Sequence, residues 1–390
     1  MSLYDQAVNG PEIGTEFEVE IERVAHGGHC VARIPEEVGQ RKRVVFVRHA
    51  LPGELVRIVI TDVEKSFLRA DAVDILRPSA DRVEPPCPLA HPDGCGGCDF
   101  QHVTLPAQRA LKETVIAEQF NRLAGMDVDV TVEEVLPTLH WRTRMQYVPL
   151  PGGRRGLRKH RSHAIIEVDN CLIAAPGARD AGARDAGDRD GTPVTETVMG
   201  HAFQVAGDGF WQVHPEAPRL LVETVLAMLA PQPGERALDL YAGVGMFSSF
   251  LAEAVGPSGH VTAVEGDRTA SRWAAENLKR FDHVAVTCAP VDRSVAGPGG
   301  TSRWHAGSGQ RGTHIVVLDP PRAGAKRRVV EAITALEPRA VAYVACDPAA
   351  LARDVSYFAE AGYAMRELRA FDLFPMTHHV ECVALLTPAG

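Results

Sequence analysis

The sequence predicts an α/β protein in which a doubly wound parallel sheet forms the C-terminal half and a small β-barrel forms the N-terminal part. From about residue 200 to residue 390, helix-like and strand-like segments alternate, which is typical of a parallel sheet covered by helices. Three of these strands end in a glycine-rich turn, an Asp and a Cys. Residues 12–76 instead contain short β-rich runs separated by turns.

Length and composition are those of an ordinary globular protein. The chain has 390 residues, of which 45% are hydrophobic and 23% are charged. We expect three domains, at residues 1–76, 77–199 and 200–390. The apolar runs are far shorter than the roughly 18 residues needed to span a bilayer. The N-terminus lacks the pattern of a secretory signal, so we expect a cytoplasmic protein.

The N-terminal segment suits a five-stranded barrel of the kind that binds oligonucleotides. Turn signals at Gly27-Gly28 and Pro52-Gly53 separate its β-rich runs. The runs cover residues 16–21, 44–47 and 55–60. Basic residues at 41–43 and Arg48 would give the barrel a basic edge, although a solvated hairpin explains these charges equally well.

Three of the eight cysteines lie within twelve residues. Cys95 and Cys98 are separated only by two glycines, and Cys87 lies shortly upstream. Both thiolates of the Cys-Gly-Gly-Cys group can therefore turn towards one metal, and a reducing compartment disfavours disulfides. Spacing alone supports zinc and an iron–sulfur cluster about equally. Three unrelated core cysteines are a poorer explanation, because the intervening glycines pack nothing.

Positive charge is concentrated in one segment of an otherwise acidic chain. The formal net charge is −9, which argues against a general polyanion binder. Residues 141–163 nevertheless contain seven Arg or Lys residues, two His residues and no acid, and His140 directly precedes them. We expect this segment to bind a polyanion, with Trp141 and Tyr147 available to stack on bases. The alternative is a solvated hairpin.

The remaining elements of the central and C-terminal parts are predicted as follows. A helix covers 106–123, a strand-rich segment covers 130–172, and the small-residue and charged tract at 177–191 is a disordered surface loop without function. A helix covers 220–229, and residues 296–312 form a surface insertion. The strands of the parallel sheet are 237–241, 260–264, 284–288, 314–318 and 341–345.

The first strand of this sheet runs into a nucleotide-type turn. Gly243 and Gly245 follow the strand and precede a helix, where backbone N–H groups can face a ligand. Glu265 ends the next strand about twenty residues later, the usual place for an acid that holds ribose hydroxyls. The third glycine of the dinucleotide fingerprint is missing, which favours S-adenosylmethionine over NAD.

Cys346 and Glu381 are the candidates for chemistry. Cys346 ends a buried strand and is followed by Asp347-Pro348, at the sheet edge where ligands collect. A strand-end Cys is more often inert packing, and we assign Cys30 to the barrel and Cys288 and Cys382 to the core. Glu381 lies in an apolar C-terminal strand, where a carboxylate must be paired or have a raised pKa, and either state suits a general base.

Together these residues resemble the RNA uracil-5-methyltransferase family, especially the branch with a TRAM barrel and a 4Fe–4S cluster that modifies 23S ribosomal RNA. The resemblance covers nearly the whole chain. Its motifs are the cysteine group, Phe210-Trp211-Gln212, Asp239-Leu240-Tyr241 with the two glycines, Leu318-Asp319-Pro320-Pro321-Arg322, Cys346-Asp347-Pro348 and His379-Val380-Glu381.

The resemblance implies roles for individual residues. Cys171 would be the fourth ligand beside Cys87, Cys95 and Cys98, and the metal would be iron rather than zinc. Cys346 would be the nucleophile and Glu381 the base. The cofactor pocket would include Gln212, Tyr241, Gly243, Gly245, Glu265 and Asp319, with Asp292 a weaker match. The implied fold is a Rossmann-like methyltransferase domain with an OB-like TRAM barrel and a small iron–sulfur domain.

Three departures from the family pattern are visible. Met246 stands where family members often have Asn, so one polar contact to the cofactor is lost or replaced. The interval from Cys87 to Cys95 is slightly long, and Asp347 replaces a commoner Asn. None of these changes removes a required chemical group.

The expected reaction is methylation of carbon 5 of a uridine through a covalent Cys–uracil adduct, on a base taken out of its stack. We expect RNA to be the partner, no membrane association, and a monomer. Two alternatives remain, the same reaction on the transfer RNA T-loop and a non-catalytic iron–sulfur protein that binds RNA. The barrel and the cysteine group argue against the first, and the Cys346 and Glu381 pair argues against the second.

Overall fold

The computed structural model describes residues 11–35, 42–180, 193–294 and 312–390. The chain forms two compact units, each assembled from separate stretches. The first unit contains the chain up to Val115, Val148–Leu172 and Phe374–His379, and the second contains Ile116–Tyr147, Ile173–Leu373 and Val380–Gly390. This is a division by compactness, and the three domains along the sequence stay a prediction. No helix in the described ranges is both long and apolar enough to span a membrane.

The first unit is built on a curled six-stranded sheet. Its strands are β1 (Glu16–Glu20), β2 (Arg23–Ala25), β3 (His29–Pro35), β4 (Lys42–Arg48), β5 (Leu55–Val63) and β6 (Phe67–Arg77). Their order is β1-β5-β6-β4-β3-β2. The two edge strands β1 and β2 follow each other almost directly in the chain, so one bent segment joins both edges and curls the sheet. Counting that segment as one strand gives the five predicted strands.

Alternation of apolar and polar residues gives this sheet its core. On β5, Val56, Ile58 and Ile60 are all completely buried, and the residues between them are more exposed. The rest of the unit contains a second small sheet, the cysteine-rich segment and part of α1 (Leu105–Ala124). The small sheet has the order β11-β10-β9 and consists of β9 (Val148–Pro149), β10 (Arg155–Arg158) and β11 (Ile165–Glu167), with a 3₁₀ turn at Pro151–Gly153.

The second unit is built on an eight-stranded sheet. Its strands are β7 (Val132–Glu134), β15 (Arg236–Leu240), β16 (His260–Glu265), β17 (Val284–Cys288), β18 (Ile315–Leu318), β19 (Ala340–Ala345), β20 (Tyr363–Asp372) and β21 (Glu381–Pro388). The order is β17-β16-β15-β18-β19-β21-β20-β7. The first five are parallel, as predicted, whereas β21 runs antiparallel to β19 and β20. The sheet is therefore mixed.

Helices cover this sheet in two groups. The helices are α2 (Ala217–Leu229), α3 (Met246–Val255), α4 (Arg268–Leu278), α5 (Val291–Ser294), α6 (Lys326–Thr334) and α7 (Pro348–Glu360). Helices α2, α3 and α4 pack in succession, as do α5, α6 and α7. Two further strand pairs complete the unit, formed by β8 (Arg142–Met145) with β12 (Ala174–Asp180) and by β13 (Pro193–Val198) with β14 (His201–Ala206).

The strand order fixes the place of the site. From β15 the chain goes outward to β16 and β17, and then returns to the other side of β15 to form β18 and β19. The carboxyl ends of β15 and β18 therefore flank the point at which the order reverses, where open α/β sheets bind their ligands. The glycine turn follows β15 and Asp319 follows β18, so both lie at that point.

Some local predictions were wrong. Residues 177–180 belong to strand β12 rather than to a loop, and residues 181–191 of that tract lie outside the described residues. Cys288 is exposed, because it is the last residue of the edge strand β17. The predicted insertion at 296–312 lies outside the described residues except for Gly312.

Candidate functional site

Cys346 and Glu381 come together through the register of two antiparallel strands. Ala345 of β19 pairs with Cys382 of β21. One step further along the two strands brings Cys346 opposite Glu381, and residues directly opposite each other point to the same face of a sheet. Cys346 is half-buried and Glu381 is 3% exposed. The thiol therefore remains reachable, whereas the carboxyl lies within the protein.

The surroundings raise the pKa values of these groups. Burial, together with the nearby carboxyls of Glu381 and Asp319, raises the pKa of Cys346 to about 12, and Arg322 acts in the opposite direction. Burial also raises the pKa of Glu381 well above its ordinary range, with a contribution from Asp319. The pKa of Asp319 itself is raised to about 7 by burial. The site thus collects acidic groups that hold their protons more strongly than exposed groups of the same kind do.

The structure explains how Asp347 can stand where family members more often have Asn. It is the N-cap of α7, and its Oδ1 accepts a hydrogen bond of 2.8 Å from the N–H of Ala350. Pro348 occupies the first helical position, where its missing N–H costs nothing. Asn and Asp are equally good N-caps, so Asp347 preserves this local structure.

The turn after β15 is fixed by unusual backbone geometry and by an acid. Tyr241 adopts a φ of 62°, a conformation that is costly for a non-glycine residue and is typically found at functional sites. Glu265 accepts a hydrogen bond of 2.8 Å from the N–H of Gly243 and one of 2.6 Å from the N–H of Asp267. Gly243 has open space where a Cβ would lie, whereas a Cβ at Gly245 would lie 2.7 Å from Leu278. The first glycine therefore leaves room for a ligand, and the second permits close packing.

Asp239 is a candidate site residue that the sequence reasoning did not single out. It is 1% exposed, and its carboxyl accepts a hydrogen bond of 2.5 Å from the hydroxyl of Ser248 in α3. Burial raises its pKa to about 7, and the charges of Asp319 and Glu265 act in the same direction. The sequence did contain a signal that points to this residue, because Asp239 begins the Asp-Leu-Tyr motif.

Two other predicted cofactor residues, Gln212 and Asp292, and the departure at Met246 have the following surroundings. Gln212 is half-buried beside Val213, whose carbonyl accepts two hydrogen bonds from Thr143. Asp292 is exposed on α5, and its charge contributes to the raised pKa of Tyr241. Met246, at the start of α3, is 7% exposed, so its side chain packs into the protein instead of offering a polar contact.

The predicted base-stacking role of two aromatic residues was wrong. Trp141 is 1% exposed and Tyr147 is 4% exposed, so neither ring can stack on a base. Trp141 instead stacks on the buried ring of His214, with the ring centroids 6.1 Å apart. Both aromatic side chains are core residues, which their position in a strand-rich segment equally allowed.

The basic segment keeps part of its predicted charge on the surface. Arg154 pairs with Glu167 at 2.8 Å, and Lys159 pairs with Asp93 at 2.9 Å. Exposed arginines on or beside strand β10 include Arg155, Arg158 and Arg161. At the barrel, Lys42 is exposed and Arg48 lies 3.7 Å from Asp71, whereas Arg41 lies outside the described residues.

The four predicted metal-binding cysteines all belong to the first unit and are half-buried. Cys95 Sγ accepts a hydrogen bond of 3.3 Å from the N–H of Gly97. The Gln101 side chain donates to Cys98 Sγ at 3.3 Å and accepts the N–H of Cys87 at 3.1 Å. Burial raises the pKa of Cys98 to about 12, against the hydrogen bond from Gln101 and with smaller contributions from Cys171 and Cys95. Sulfur atoms that receive N–H groups are typical of iron–sulfur ligands.

Gly96 shows why the cysteine loop contains glycines. A Cβ at this position would lie 2.5 Å from the main-chain nitrogen of His160, which cannot move aside as a flexible side chain could. Its N–H also faces the carbonyl of Arg158 at 3.4 Å. The loop therefore lies directly against the β10–β11 hairpin, which leads on to Cys171.

The metal group at these cysteines stays a prediction. Among the described residues, no three His, Cys, Asp or Glu side chains are placed to hold one metal ion. What the structure shows is four half-buried thiols in one unit, two of which accept N–H groups.

Comparisons with known proteins agree with this description. The TRAM domain matches residues 11–73, and the tRNA (Uracil-5-)-methyltransferase family matches residues 309–389. A protein of Streptomyces avermitilis described as an uncharacterized RNA methyltransferase is 43% identical and covers 97% of this chain and 99% of its own. The 23S rRNA (uracil(1939)-C(5))-methyltransferase RlmD of Alkalilimnicola ehrlichii is 32% identical and covers 95% of this chain and 96% of its own.

A solved structure shares the fold. It is a Pyrococcus abyssi tRNA (uracil-54, C5)-methyltransferase in complex with S-adenosyl-L-homocysteine, with a TM-score of 0.65 and 19% sequence identity, covering 95% of this chain and 99% of its own. The relatives are similar over nearly their whole lengths as well as nearly all of this chain. The chain therefore belongs to the family of S-adenosylmethionine-dependent RNA uracil-5-methyltransferases and carries an N-terminal TRAM domain.

Proposed function

We propose that this protein methylates carbon 5 of a specific uridine in 23S ribosomal RNA through a covalent adduct with Cys346. The observation that carries the proposal is the juxtaposition of Cys346 and Glu381 across the β19–β21 register. The reaction needs a nucleophile and a base on the same face of a substrate ring, and this pair supplies both. The geometry of the site supports the proposed chemistry, and the relatives support the proposed RNA substrate.

The two residues act at different steps. The Cys346 thiolate adds to carbon 6 of uracil, and carbon 5 then carries the electron pair that attacks the sulfonium methyl. The methyl–sulfur bond breaks and S-adenosylhomocysteine leaves. The Glu381 carboxylate takes the remaining proton from carbon 5, the bond from carbon 6 to sulfur breaks, and the Cys346 thiolate is regenerated. General base catalysis of this kind contributes roughly 10²–10⁴-fold in rate.

The electrostatics of the site suit both the base and the cofactor. A carboxylate whose pKa is raised binds a proton more strongly, so the ionised Glu381 is a better base than an exposed Glu. The sulfonium of S-adenosylmethionine is a cation, and the carboxyls of Asp319 and Asp239, in their ionised forms, attract a cation bound near them. We propose that Gln212, Tyr241, Gly243, Gly245, Glu265 and Asp319 hold the cofactor, with Asp292 as a weaker member.

The proposed substrate follows from the relatives and the N-terminal domain. The Alkalilimnicola ehrlichii relative acts on 23S rRNA, and its similarity extends over 95% of this chain. The TRAM match and the exposed arginines beside β10 provide surfaces for an RNA backbone. The target uridine must be unstacked, because the thiol and the methyl donor approach its ring from outside the stack.

We also propose that Cys87, Cys95, Cys98 and Cys171 hold a 4Fe–4S cluster. The support is the donor set together with the N–H groups directed at Cys95 and Cys98. The methyl transfer needs no electron, so the cluster would order the cysteine segment and the hairpin packed against it. We also propose that the protein is cytoplasmic and monomeric.

The experiment compares two substitutions that stop the reaction at different points. Cys346→Ala should form no adduct and transfer no methyl group, because the first bond cannot form. Glu381→Gln keeps the shape of the side chain but cannot accept the proton. It should methylate carbon 5 once and then stall as an enzyme–RNA adduct that survives denaturing electrophoresis and carries the labelled methyl group.

Matched controls separate chemistry from damage to the fold. Cys30→Ala and Glu367→Gln remove a thiol and a carboxylate outside the site, and both should turn over normally. A folded Glu381→Gln enzyme that turns over at the wild-type rate would remove Glu381 from the mechanism, and a methyl-bearing adduct in Cys346→Ala would remove Cys346. Mapping 5-methyluridine in the RNA of a deletion strain tests the substrate, since a loss confined to transfer RNA would overturn the ribosomal assignment.

A further inference from the structure

The loop between β18 and α6, which carries Arg322, is held by a carboxylate buried elsewhere in the fold. Asp354 lies in α7 and is 0% exposed. Its Oδ2 accepts the N–H groups of Ala325 at 2.7 Å and Lys326 at 3.1 Å. The same oxygen accepts the hydroxyl of Tyr343 at 2.7 Å. Three donors therefore converge on one carboxylate oxygen, which is a strong, charge-assisted arrangement.

This arrangement replaces a cap that α6 lacks. The N-cap residue of α6 is Ala325, and no side chain of its own segment caps the helix. The first N–H groups of a helix need acceptors, and a negative charge at that end is favourable. Asp354, which lies in the neighbouring helix α7, supplies both the acceptor and the negative charge. The end of the loop is therefore held by α7 and not by a residue of its own segment.

The loop also closes tightly against α7. Arg353 donates to the carbonyl of Ala323 at 2.8 Å and pairs with the other oxygen of Asp354 at 2.7 Å. Gly324 adopts a φ of 72°, and a Cβ there would lie 2.5 Å from the Oδ2 atom of Asp354. Only a glycine permits the main chain of the loop to come this close to Asp354. The loop therefore packs directly against Asp354, which helps to fix its position.

The network is connected to both sides of the reaction centre. Tyr343 lies on β19, the strand that ends just before Cys346. Asp354 contributes to the raised pKa of Tyr241 on the cofactor side. On the other side, the positive charge of Arg322 lowers the pKa of Cys346 against three nearby carboxyls, those of Glu381, Asp319 and Asp347.

We propose that Asp354 and Tyr343 are positioning residues, which hold the 319–326 loop so that the charge of Arg322 stays near Cys346. They do not touch the reacting atoms and act through the loop. The inference rests on the proposed role of Cys346, and it predicts that loosening the loop makes the thiol harder to ionise. Because the thiolate is the reactive form, this change is measurable without any RNA.

The test is the rate at which iodoacetamide alkylates Cys346 in the full-length protein, followed over a range of pH by mass spectrometry of the peptide that contains it. Asp354→Asn keeps the size of the side chain and removes its charge. We expect roughly tenfold slower alkylation at a given pH, which corresponds to about one unit in pKa. Tyr343→Phe removes one of the three donors and should shift the profile in the same direction by less.

The matched control is Glu360→Gln. Glu360 also links α7 to α6, through an ion pair with Arg327, but both side chains are exposed and the link begins at the residue after the loop. It should leave the alkylation profile unchanged. If Asp354→Asn lowers only the melting temperature and leaves the profile of Cys346 intact, Asp354 is merely structural and the inference fails. If Asp354→Asn does not fold, Tyr343→Phe decides by the same criterion.

The proposed function and this inference fail in different ways. A wild-type protein that transfers no methyl group to RNA refutes the function, whatever the alkylation rates. Unchanged alkylation in folded Asp354→Asn and Tyr343→Phe refutes the positioning role, even if the wild type is an active methyltransferase.

Discussion

At the residue scale, the main property of the site is that its acidic groups are withdrawn from water, Asp239 and Glu381 almost completely and Asp319 in part. Asp239 and Asp319 both have pKa values raised to about 7, and the pKa of Glu381 is raised well above its ordinary range. A sequence shows the presence of these carboxyls but not their burial. Their proton affinities arise because the carboxyl ends of β15, β18 and β19 meet at one edge of the sheet.

Asp239 gives a prediction about stability and pH. Its folded pKa of about 7 lies above the ordinary value for Asp, so the folded state holds the proton to a higher pH than the unfolded state does. The stabilising contribution is complete below about pH 4 and is lost as pH rises through about 7. We expect Asp239→Asn, which cannot ionise, to melt increasingly above the wild type across this range in thermal unfolding experiments.

The comparison needs a control for general effects of pH. Asp282→Asn changes an exposed Asp and should follow the wild-type curve at every pH. A constant difference in melting temperature between Asp239→Asn and the wild type from acid to neutral pH would show that Asp239 ionises as freely in the folded state as in the unfolded chain.

At the element scale, the β10–β11 hairpin links the cysteine loop to the exposed basic surface. Gly96 packs against its main chain, and Arg155 and Arg158 point their charge to the outside. Two neighbouring charges, Arg154 and Lys159, are already paired within the protein. We expect the free energy of RNA binding to depend on Arg155 and Arg158, because both side chains are exposed where phosphates can reach them.

We expect charge reversal at Arg155 and Arg158, both to Glu, to weaken RNA binding. The salt dependence of the affinity should also become shallower, by about one unit of slope for each lost phosphate contact. Fluorescence titration of labelled RNA at several salt concentrations measures both effects. Reversal of Arg272 and Arg328, two exposed arginines of α4 and α6, makes the same change in net charge and should have little effect. Equal losses in both variants would mean that only net charge matters.

At the scale of the whole molecule, distant parts of the sequence build each unit. The cysteine quartet combines the segment before Val115 with Val148–Leu172. Likewise, the eight-stranded sheet takes β7 from a region that the sequence places in a central domain. Each unit therefore depends on contacts between residues far apart in the chain.

The cluster gives a prediction at this scale. Anaerobically purified protein should be brown and contain about four irons per chain. Cys98→Ala should lose the colour and most of the iron, because it removes one ligand. Cys288→Ala, which removes an exposed cysteine outside the quartet, should keep both. A colourless wild-type protein that holds one zinc would replace the cluster with a single-ion site.

The sequence by itself determined the features that depend on short stretches of chain. The five parallel strands, the glycine turn after β15, the Cys-Gly-Gly-Cys loop and the strand-end position of Cys346 are all visible locally. Apolar runs, glycines and prolines constrain a few neighbouring residues directly, whatever the rest of the fold does. The family resemblance added Cys171 as a fourth ligand far away in the chain. It also gave Cys346 and Glu381, which their strands already single out, the roles of nucleophile and base.

Only the tertiary structure decided which residues are buried and which distant groups meet. It moved Trp141 and Tyr147 into the core, placed Cys288 at an exposed edge, and showed the antiparallel register that sets Cys346 opposite Glu381. It also revealed Asp239 and Asp354, whose partners are remote in sequence or on another element. The reason is that burial and long-range pairing are set by the packing free energy of the whole unit, which no short stretch of sequence contains.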